Sequence, residues 1–125
     1  MGEKTEVMAD IKDSNLFQPV QVGTIELSHR IVLAPLTRSR ANNKHVPQDM
    51  TVEYYAQRSR TPGTLLITES VYIAQRAVGR THNPGVWSEE QILAWEKVSQ
   101  DTNIFPFCFI GLFNNVYVGV SCGAC

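Results

Sequence analysis

A threonine hydroxyl and two arginines follow a short apolar run early in the chain. Residues Ile31 to Ala34 are apolar and include β-branched side chains, which predicts a strand that Pro35 ends because proline cannot donate a ladder hydrogen bond. Thr37, Arg38 and Arg40 come directly afterwards. In βα-barrels, working sites lie where the strands end. We therefore interpret the segment from the proline to the threonine as the first wall of a cofactor site.

Each of these residues also has a simpler explanation. A threonine in a loop is commonly a turn or capping hydroxyl, and a proline after an apolar run often does no more than end a strand. Arg38 and Arg40 are suited to binding phosphate, although solvated loop arginines are commoner. Taken alone, the pattern leaves both a ligand-binding loop and an ordinary connection open.

Metal chemistry finds little support in the sequence. Cys122 and Cys125 have the spacing of a zinc or redox pair, but no second pair or neighbouring histidine accompanies them. His29 and His45 lack a cysteine or acidic partner at metal-ligand spacing, and His82 lies in a turn-rich stretch. We predict no metal site and keep a small zinc or redox module at the two cysteines as a weak alternative.

The composition excludes several classes of protein. The chain has 125 residues, a formal net charge of −1 and a pI of about 6.3, so no basic surplus indicates nucleic acid or anionic lipid. The first residues are polar and lack the apolar core of a secretory signal. All three cysteines lie at one end, which is not a disulfide framework. We expect a protein of a reducing compartment, the cytoplasm, without membrane association.

The apolar spacing predicts strands that alternate with helices. Residues 20–22 and 25–27 are expected to pair as a hairpin, in which Gly23 supplies the backbone freedom of a tight turn. Residues 64–68 are apolar in the middle, which predicts a strand that is buried on both faces and runs parallel to its neighbours. The order of hairpin, strand, helix, strand and helix indicates a parallel α/β architecture.

Two helices are expected between and after these strands. The first is predicted from a cap at Asp49 or Thr51 to about Ser59. Its buried face is expected to comprise Val52, Tyr55 and Ala56. The second begins at a capping box formed by Ser88 and Gln91. Its buried face is expected to comprise Ile92, Trp95 and Val98.

The chain changes character near its end. No charged residue follows Asp101, and four of the five phenylalanines lie between residues 105 and 113. Residues 104–113 and 116–120 are apolar enough to form a third and a fourth strand, with an asparagine pair at the turn. We divide the chain into a flexible leader, a body of βα units and a divergent apolar tail, at residues 1–14, 15–100 and 101–125.

Several motifs occur in a fixed order over about residues 15–99. They comprise Leu16-Phe17-Gln18-Pro19, the spaced Gly23, Leu27 and Arg30, Val32-Leu33-Ala34-Pro35-Leu36-Thr37-Arg38, Tyr54-Tyr55-x-Gln57-Arg58, Pro62 to Glu69, and Pro84 to Ser88. Together they resemble the start of the old yellow enzyme family, the FMN-dependent ene-reductases or NADPH dehydrogenases, above all its fungal members. The resemblance implies the N-terminal part of a (β/α)₈ TIM barrel with a preceding β-hairpin, the barrel being incomplete.

The resemblance implies hydride transfer through a flavin. Reduced nicotinamide, NADPH or NADH, gives a hydride to FMN, which passes it to the β-carbon of an activated alkene. By resemblance, Pro35 and Leu36 pack on the isoalloxazine, and Thr37 donates a hydrogen bond near O4 that tunes the potential, which makes it the catalytic candidate. Ser70, placed just after the second strand where the family has a small residue, is a further cofactor contact. Tyr72 is expected to face the substrate.

The resemblance stops at about Gln100. The flavin-contacting glutamine of the family's third strand cannot be placed, and its later histidine, tyrosine and phosphate-binding motifs are absent. Glu69 is interpreted as structural, because flavin hydride transfer needs no base at that point. We expect the chain by itself not to be competent, with a truncated non-enzymatic relic or an interaction protein as the alternative. A retained intron, a frameshift or a mis-called exon is our hypothesis for the tail.

Overall fold

The computed structural model describes residues 14–101, 109–113 and 116–120, so the expected leader, apart from Ser14, and the three cysteines lie outside the described residues. The strands are β1 (Val20–Val22), β2 (Ile25–Leu27), β3 (Val32–Leu33), β4 (Leu65–Val71), β5 (Phe109–Phe113) and β6 (Val116–Val120). The helices are α1 (Asp49–Arg58) and α2 (Glu89–Asp101). Short 3₁₀ turns lie at Asn15–Phe17 and Gln75–Ala77.

Strands β1 and β2 form the predicted antiparallel hairpin. They pair along their whole length and leave Gly23 and Thr24 in the turn. Gly23 has a φ of +61°, a left-handed conformation that glycine adopts without the steric cost of a Cβ. Leu27 at the end of the hairpin packs on Leu65 at the start of β4. The hairpin therefore covers the N-terminal end of that strand.

Strands β3 to β6 form one sheet in chain order. Strands β3, β4 and β5 run parallel, and β6 returns antiparallel to β5. The predicted parallel α/β architecture is confirmed, and a strand is present in each of the two apolar segments of the tail. Residues 104–108 and the asparagine pair lie outside the described residues. Over the described residues the sheet is open, because β3 and β6 each pair on one side only.

Strands β3 and β4 have bounds that differ from the predicted ones. Strand β3 has only two residues, because the amide of Ile31 donates to Nδ1 of His29 (3.2 Å) rather than to a ladder partner. Strand β4 extends to Val71, because its last residues pair with β5. Ser70, which was expected just after the strand, therefore lies inside it.

Helix α1 begins differently from the prediction. Its N-cap is Gln48, which makes no side-chain capping hydrogen bond, so Asp49 and Thr51 both lie within the helix. The carboxylate of Asp49 in the first turn still stabilises the helix dipole. Of the three residues predicted to be buried, Tyr55 is buried, whereas Val52 and Ala56 are half-buried.

Helix α2 begins at the predicted capping box. The amide of Gln91 donates to Oγ of Ser88 (3.3 Å), and the amide of Ser88 donates to Oε1 of Gln91 (3.1 Å). Trp95 and Val98 are buried as predicted, but Ile92 is 51% exposed. A helix turns by about 100° per residue, so steps of three drift away from one face. The buried row instead runs through Gln91, Trp95 and Val98.

Helices α1 and α2 share one apolar core with strand β4. The buried members of this core are Tyr55, Leu66, Val71, Trp95 and Val98. None of the helices in the described part of the chain is both long and apolar enough to span a membrane. Because this core holds both helices on β4, the position of the loops at the C-terminal ends of β3 and β4 depends on it.

Candidate functional site

The loop that follows β3 is the most exposed polar segment of the predicted site. Since β3 and β4 are parallel, their C-terminal ends meet at one edge of the sheet. Residues 34–40, which we call the 34–40 loop, leave this edge and are exposed throughout. Pro35, Leu36 and Thr37 lie at its start, and Leu36 is 50% exposed. The loop therefore exposes an apolar side chain and, at the next residue, a hydroxyl.

The hydroxyl of Thr37 has no hydrogen-bond partner among the described residues. Its exposed side chain leaves both its donor and its acceptor capacity available. The apolar surface of Leu36 precedes it in the chain. A ligand with a flat apolar body and a polar edge fits such a surface, because the polar edge can accept the threonine proton while the body covers the leucine.

A buried carboxylate holds the second half of the 34–40 loop. Glu69 is only 2% exposed, and its Oε2 accepts hydrogen bonds from the amides of Arg38 (2.8 Å) and Ser39 (3.3 Å). Thr37 immediately precedes the first of these amides, and consecutive Cα atoms lie only about 3.8 Å apart. The position of the threonine is therefore closely tied to that of the glutamate. This contact supports the structural interpretation of Glu69.

Ser39 adopts a backbone conformation that is uncommon for a residue with a side chain. Its φ is +52°, which lies in the left-handed region that costs a non-glycine residue about 1–2 kcal/mol. Its Oγ donates to Oδ1 of Asn83 (2.8 Å), and Asn83 is buried. The loop thus turns at Ser39, and this residue is bonded both to Glu69 through its amide and to Asn83 through its hydroxyl.

Burial disfavours the charged form of the Glu69 carboxylate, but the carboxylate still accepts hydrogen bonds. Burial raises the pKa of the Glu69 carboxyl, and the amides of Arg38 and Ser39 and then the Arg38 charge oppose that rise. The amide of Glu69 donates to the hydroxyl of Tyr55 (3.0 Å), whose own pKa is raised, chiefly by burial. The carboxylate is therefore held from the loop side and its backbone from the core side.

A cavity of about 170 Å³ lies between the 34–40 loop, α1 and Glu69. It is lined by Arg38, Arg40, Met50, Thr51, Tyr54 and Glu69. The guanidinium carbon of Arg38 lies 4.8 Å from the ring centroid of Tyr54, within the range of a cation–π contact. Arg38 is thus exposed and also contacts Tyr54 of α1, and its two interpretations, as a phosphate ligand or a solvated loop arginine, both stay untested.

Ser70 and Tyr72 lie at the end of β4. Ser70 is half-buried within the strand, and Tyr72 is 8% exposed. The ring of Tyr72 meets that of His45 edge-on at 6.2 Å, and its backbone bridges to Gly85. These partners belong to the segment before α1 and the segment before α2, rather than to the 34–40 loop. The roles of Ser70 and Tyr72 stay predictions.

The described residues contain no group of three or more side chains that could hold a metal ion. Nδ1 of His45 instead lies 2.6 Å from the carbonyl oxygen of Asn83, and Nδ1 of His82 lies 3.0 Å from that of Ala41. These histidines are engaged with the backbone. The cysteine pair lies outside the described residues, so the alternative built on it stays untested.

The sequence model of the NADH:flavin oxidoreductase / NADH oxidase family matches residues 15–104. The chain belongs to this family. Enoate reductase 1 of Kluyveromyces lactis is 46% identical over 90 residues, which cover 70% of this chain and 23% of that protein. A protein of Epichloe festucae var. lolii named "Probable inactive reductase easA" is 51% identical over 85 residues, which cover 68% and 22%.

Solved structures of the family agree with the fold. An Old Yellow Enzyme from a Pichia species matches with a TM-score of 0.76 and 34% sequence identity, covering 81% of this chain and 26% of that one. The resemblance to old yellow enzyme is thereby confirmed, as is the fold, the N-terminal part of a TIM barrel. The chain spans about a quarter of the length of the relatives that it matches.

The residues at the edge of the sheet fit the flavin of this family. FMN is the family's cofactor, and NADH or NADPH is its reductant. Pro35 and Leu36 present apolar surface, and Thr37 presents a hydroxyl without a partner among the described residues. An isoalloxazine ring offers an apolar face and a polar carbonyl edge, so the two surfaces are chemically complementary.

Two contacts that shape this site were missing from the sequence predictions. The hydroxyl of Tyr55 and the pair of Ser39 with Asn83 both act across long sequence separations, of 14 and 44 residues. A partial signal was present, since a carboxylate at the end of a buried strand must find hydrogen-bond donors. The identity of those donors had no local signature.

Proposed function

We propose that this sequence contributes the first wall of the flavin site in an FMN-dependent oxidoreductase that uses NADPH or NADH to reduce activated alkenes. The observation that carries the proposal is the exposed hydroxyl of Thr37, which has no hydrogen-bond partner in the described part of the chain and follows the exposed Leu36 at the edge where β3 and β4 end. Family membership supports the flavin, and the name of the Kluyveromyces lactis relative supports an alkene conjugated to a carboxyl group as substrate class.

In this proposal each residue has a stated role. FMN supplies the hydride-transfer chemistry when it is bound. Pro35 and Leu36 hold the face of the ring, and Thr37 donates a hydrogen bond to its carbonyl edge. That hydrogen bond favours the reduced ring, because it stabilises the negative charge that reduction adds. Ser70 contacts the same ring, and Tyr72 lies towards the small-molecule substrate.

We expect the 125-residue chain by itself to bind FMN weakly and less than stoichiometrically, and not to reduce cyclohexenone. The support is that the described sheet is open at β3 and β6, whereas a flavin in a TIM barrel is contacted from several strands. The distribution of the cysteines supports a reducing compartment, and the cytoplasm stays our prediction.

The test places residues 15–100 in a complete enzyme. A chimera carries them in place of the matching segment of Kluyveromyces lactis enoate reductase 1, and cyclohexenone reduction and the flavin midpoint potential are measured. We expect an active yellow protein in which Thr37→Ala slows flavin reduction about tenfold, since a hydrogen bond to a charged group contributes about 1.5–3 kcal/mol. The corresponding drop in two-electron potential is about 30 mV or more.

Thr24→Ala is the matched control. Thr24 is also exposed but lies in the hairpin turn, and the hairpin packs on the N-terminal end of β4, so loss of the Thr24 hydroxyl should change neither rate nor potential. Thr37→Ser should restore most of the activity, because it keeps the hydroxyl. A Thr37→Ala chimera with unchanged rate and potential would overturn the proposed role.

A non-enzymatic relic or interaction protein is the second candidate. It is favoured by the Epichloe relative, which is named a probable inactive reductase and is 51% identical over the matched residues. A chimera that folds but stays colourless with Thr37 intact would support this candidate. A defined thermal melt and a monomeric or dimeric state of the 125-residue chain would then distinguish an interaction protein from a relic that aggregates.

A further inference from the structure

We propose that Glu69 is the positioning residue of the flavin-facing loop, whose carboxylate fixes the Thr37 hydroxyl by holding the amides of Arg38 and Ser39. The assignment of a flavin to Thr37 rests on the proposed function, whereas the tether itself does not. Glu69 is a positioning residue rather than a catalytic one, because its carboxylate accepts from two backbone amides and its own amide donates to the hydroxyl of Tyr55.

The geometry of the tether is specific. One carboxylate oxygen, Oε2, accepts from two consecutive amides, at 2.8 Å from Arg38 and 3.3 Å from Ser39. Hydrogen bonds to an ionised acceptor are about twice as strong as neutral ones. Since Thr37 comes one residue before this pair, a shift of the carboxylate moves the threonine with it.

Glu69 is itself held from the core. The pairing of β4 with β5 shifts register between Ile67 and Ser70, so the backbone of Glu69 lies at an irregularity of the ladder. Its amide donates to the hydroxyl of Tyr55 instead, and Tyr55 is 1% exposed in the core between α1 and α2. A continuous series of hydrogen bonds therefore connects the core of the molecule to the loop.

The backbone of Ser39 shows that the loop needs such a tether. Its left-handed φ of +52° is unfavourable for serine, and this cost must be offset by contacts. The two described contacts are the bond from its amide to Glu69 and the bond from its Oγ to Asn83. Strained residues of this kind persist where the surroundings over-determine them, and they cluster at ligand sites.

The charge of the tether depends on pH. The groups that face Glu69 are the guanidinium of Arg38, the amides of the loop and the hydroxyl of Tyr55, and Arg40 and Tyr54 line the same cavity. Burial outweighs the favourable contacts and raises the pKa of the Glu69 carboxyl. Protonation therefore weakens the tether at a pH above the usual glutamate value of about 4.3.

Because the pKa of Glu69 is raised, the charge of Glu69 has opposite effects on the loop hydrogen bonds and on the stability of the folded protein. Folding raises the pKa of the Glu69 carboxyl, so the folded state binds its proton more tightly than the unfolded state. The resulting contribution to the free energy of unfolding is fully present below the unfolded-state pKa, and it is lost as the pH rises through the folded-state pKa. Glu69→Gln removes the buried charge and so should not lower the melting temperature at pH 7. It should nonetheless loosen the loop, because the neutral amide oxygen is a weaker acceptor.

The test uses the ¹⁵N-labelled 125-residue chain and needs no flavin for its first part. In the wild type, the amide resonances of Arg38 and Ser39 should titrate together with a midpoint above about 4.3, the usual glutamate pKa. In Glu69→Gln this titration should vanish and their hydrogen exchange should accelerate about tenfold. The control is Glu26→Gln, an exposed glutamate in the hairpin, which should leave both readouts unchanged.

Two results would refute the tether between Glu69 and the 34–40 loop. If the wild-type amides of Arg38 and Ser39 do not titrate, the tether is refuted without any variant. If Glu69→Gln exchanges at these amides as slowly as the wild type, the tether does not depend on the charge, and the proposal fails as well.

An FMN titration then separates this inference from the proposed function. We expect excess FMN to shift the Thr37 amide in the wild type, and several-fold more FMN to be needed in Glu69→Gln at an unchanged melting temperature. Equal titrations in the two proteins would refute the positioning role while leaving the flavin contact intact. A titrating tether without any FMN response at Thr37 would refute the flavin contact and leave the tether standing.

Discussion

The two ends of strand β4 differ in whether their polar groups find partners within the protein. At the N-terminal end, Leu65 packs on Leu27, and Thr64 pairs with His29, so the protein satisfies its own groups there. At the C-terminal end, the 34–40 loop is exposed throughout, and Thr37 has no hydrogen-bond partner among the described residues. The first end is a scaffold, and the second is a surface that a ligand can complete, as in other TIM barrels.

At the N-terminal end of β4, both ring nitrogens of His29 are hydrogen-bonded within the protein. Oγ1 of Thr64 donates to the carbonyl of Thr61 (2.8 Å), so the ring of His29 must donate from Nε2 to that hydroxyl (3.2 Å). Nδ1 then accepts from the amide of Ile31 (3.2 Å). Both ring nitrogens are used in linking the hairpin to β4, which makes His29 a structural residue.

The largest expected effect is at the N-terminal end of β4. Gly63 has a φ of +77°, and an added Cβ would lie 2.8 Å from the amide nitrogen of Ser28 and closer still to its side chain. Gly63→Ala should therefore lower the free energy of unfolding by about 3 kcal/mol, from left-handed strain and overlap together. Chemical denaturation measures this change.

Gly23→Ala is the matched control for that variant. Its φ is +61°, but an added Cβ would meet no atom within 4 Å. Only the conformational cost of about 1–2 kcal/mol should remain. Equal destabilisation by the two variants would show that the close contact with Ser28 contributes nothing, and that the N-terminal end is less tightly packed than described.

A smaller effect is expected where the core meets the C-terminal end. Tyr55→Phe removes the hydroxyl that accepts from the amide of Glu69 and leaves that donor buried. The free energy of unfolding should fall by about 1–2 kcal/mol. Tyr54→Phe is the control, because a phenylalanine ring keeps the cation–π contacts with Arg38 and Arg58. A Tyr55→Phe variant as stable as Tyr54→Phe would contradict the described link between core and loop.

Much of the fold could be predicted because its signals are local. The hairpin around Gly23 and the capping box of Ser88 with Gln91 each depend on residues within seven positions of one another, and both are confirmed. Alternation of apolar segments likewise identified the parallel strands. The exposed position of Ile92 was missed because a spacing of three residues resembles a helical face without following one.

The remaining features depend on contacts between distant parts of the chain. The end of β4 is set by its partner β5, so the position of Ser70 relative to the strand could not be predicted from residues 64–70 alone. Glu69 was expected to be structural, but its partners lie 30 and 31 residues earlier. Pro35, Leu36 and Thr37 were placed at the edge of the sheet correctly, and their contacts with FMN stay predictions.

The most direct test of the account is an NMR titration of the ¹⁵N-labelled chain with excess FMN, read at both ends of β4. We predict shifts in the amides of Leu36, Thr37 and Arg38, and none at His29 or Thr64. Shifts centred on His29 and Thr64, or no shift at either end at saturating FMN, would contradict the assignment of scaffold and flavin-facing surface to the two ends.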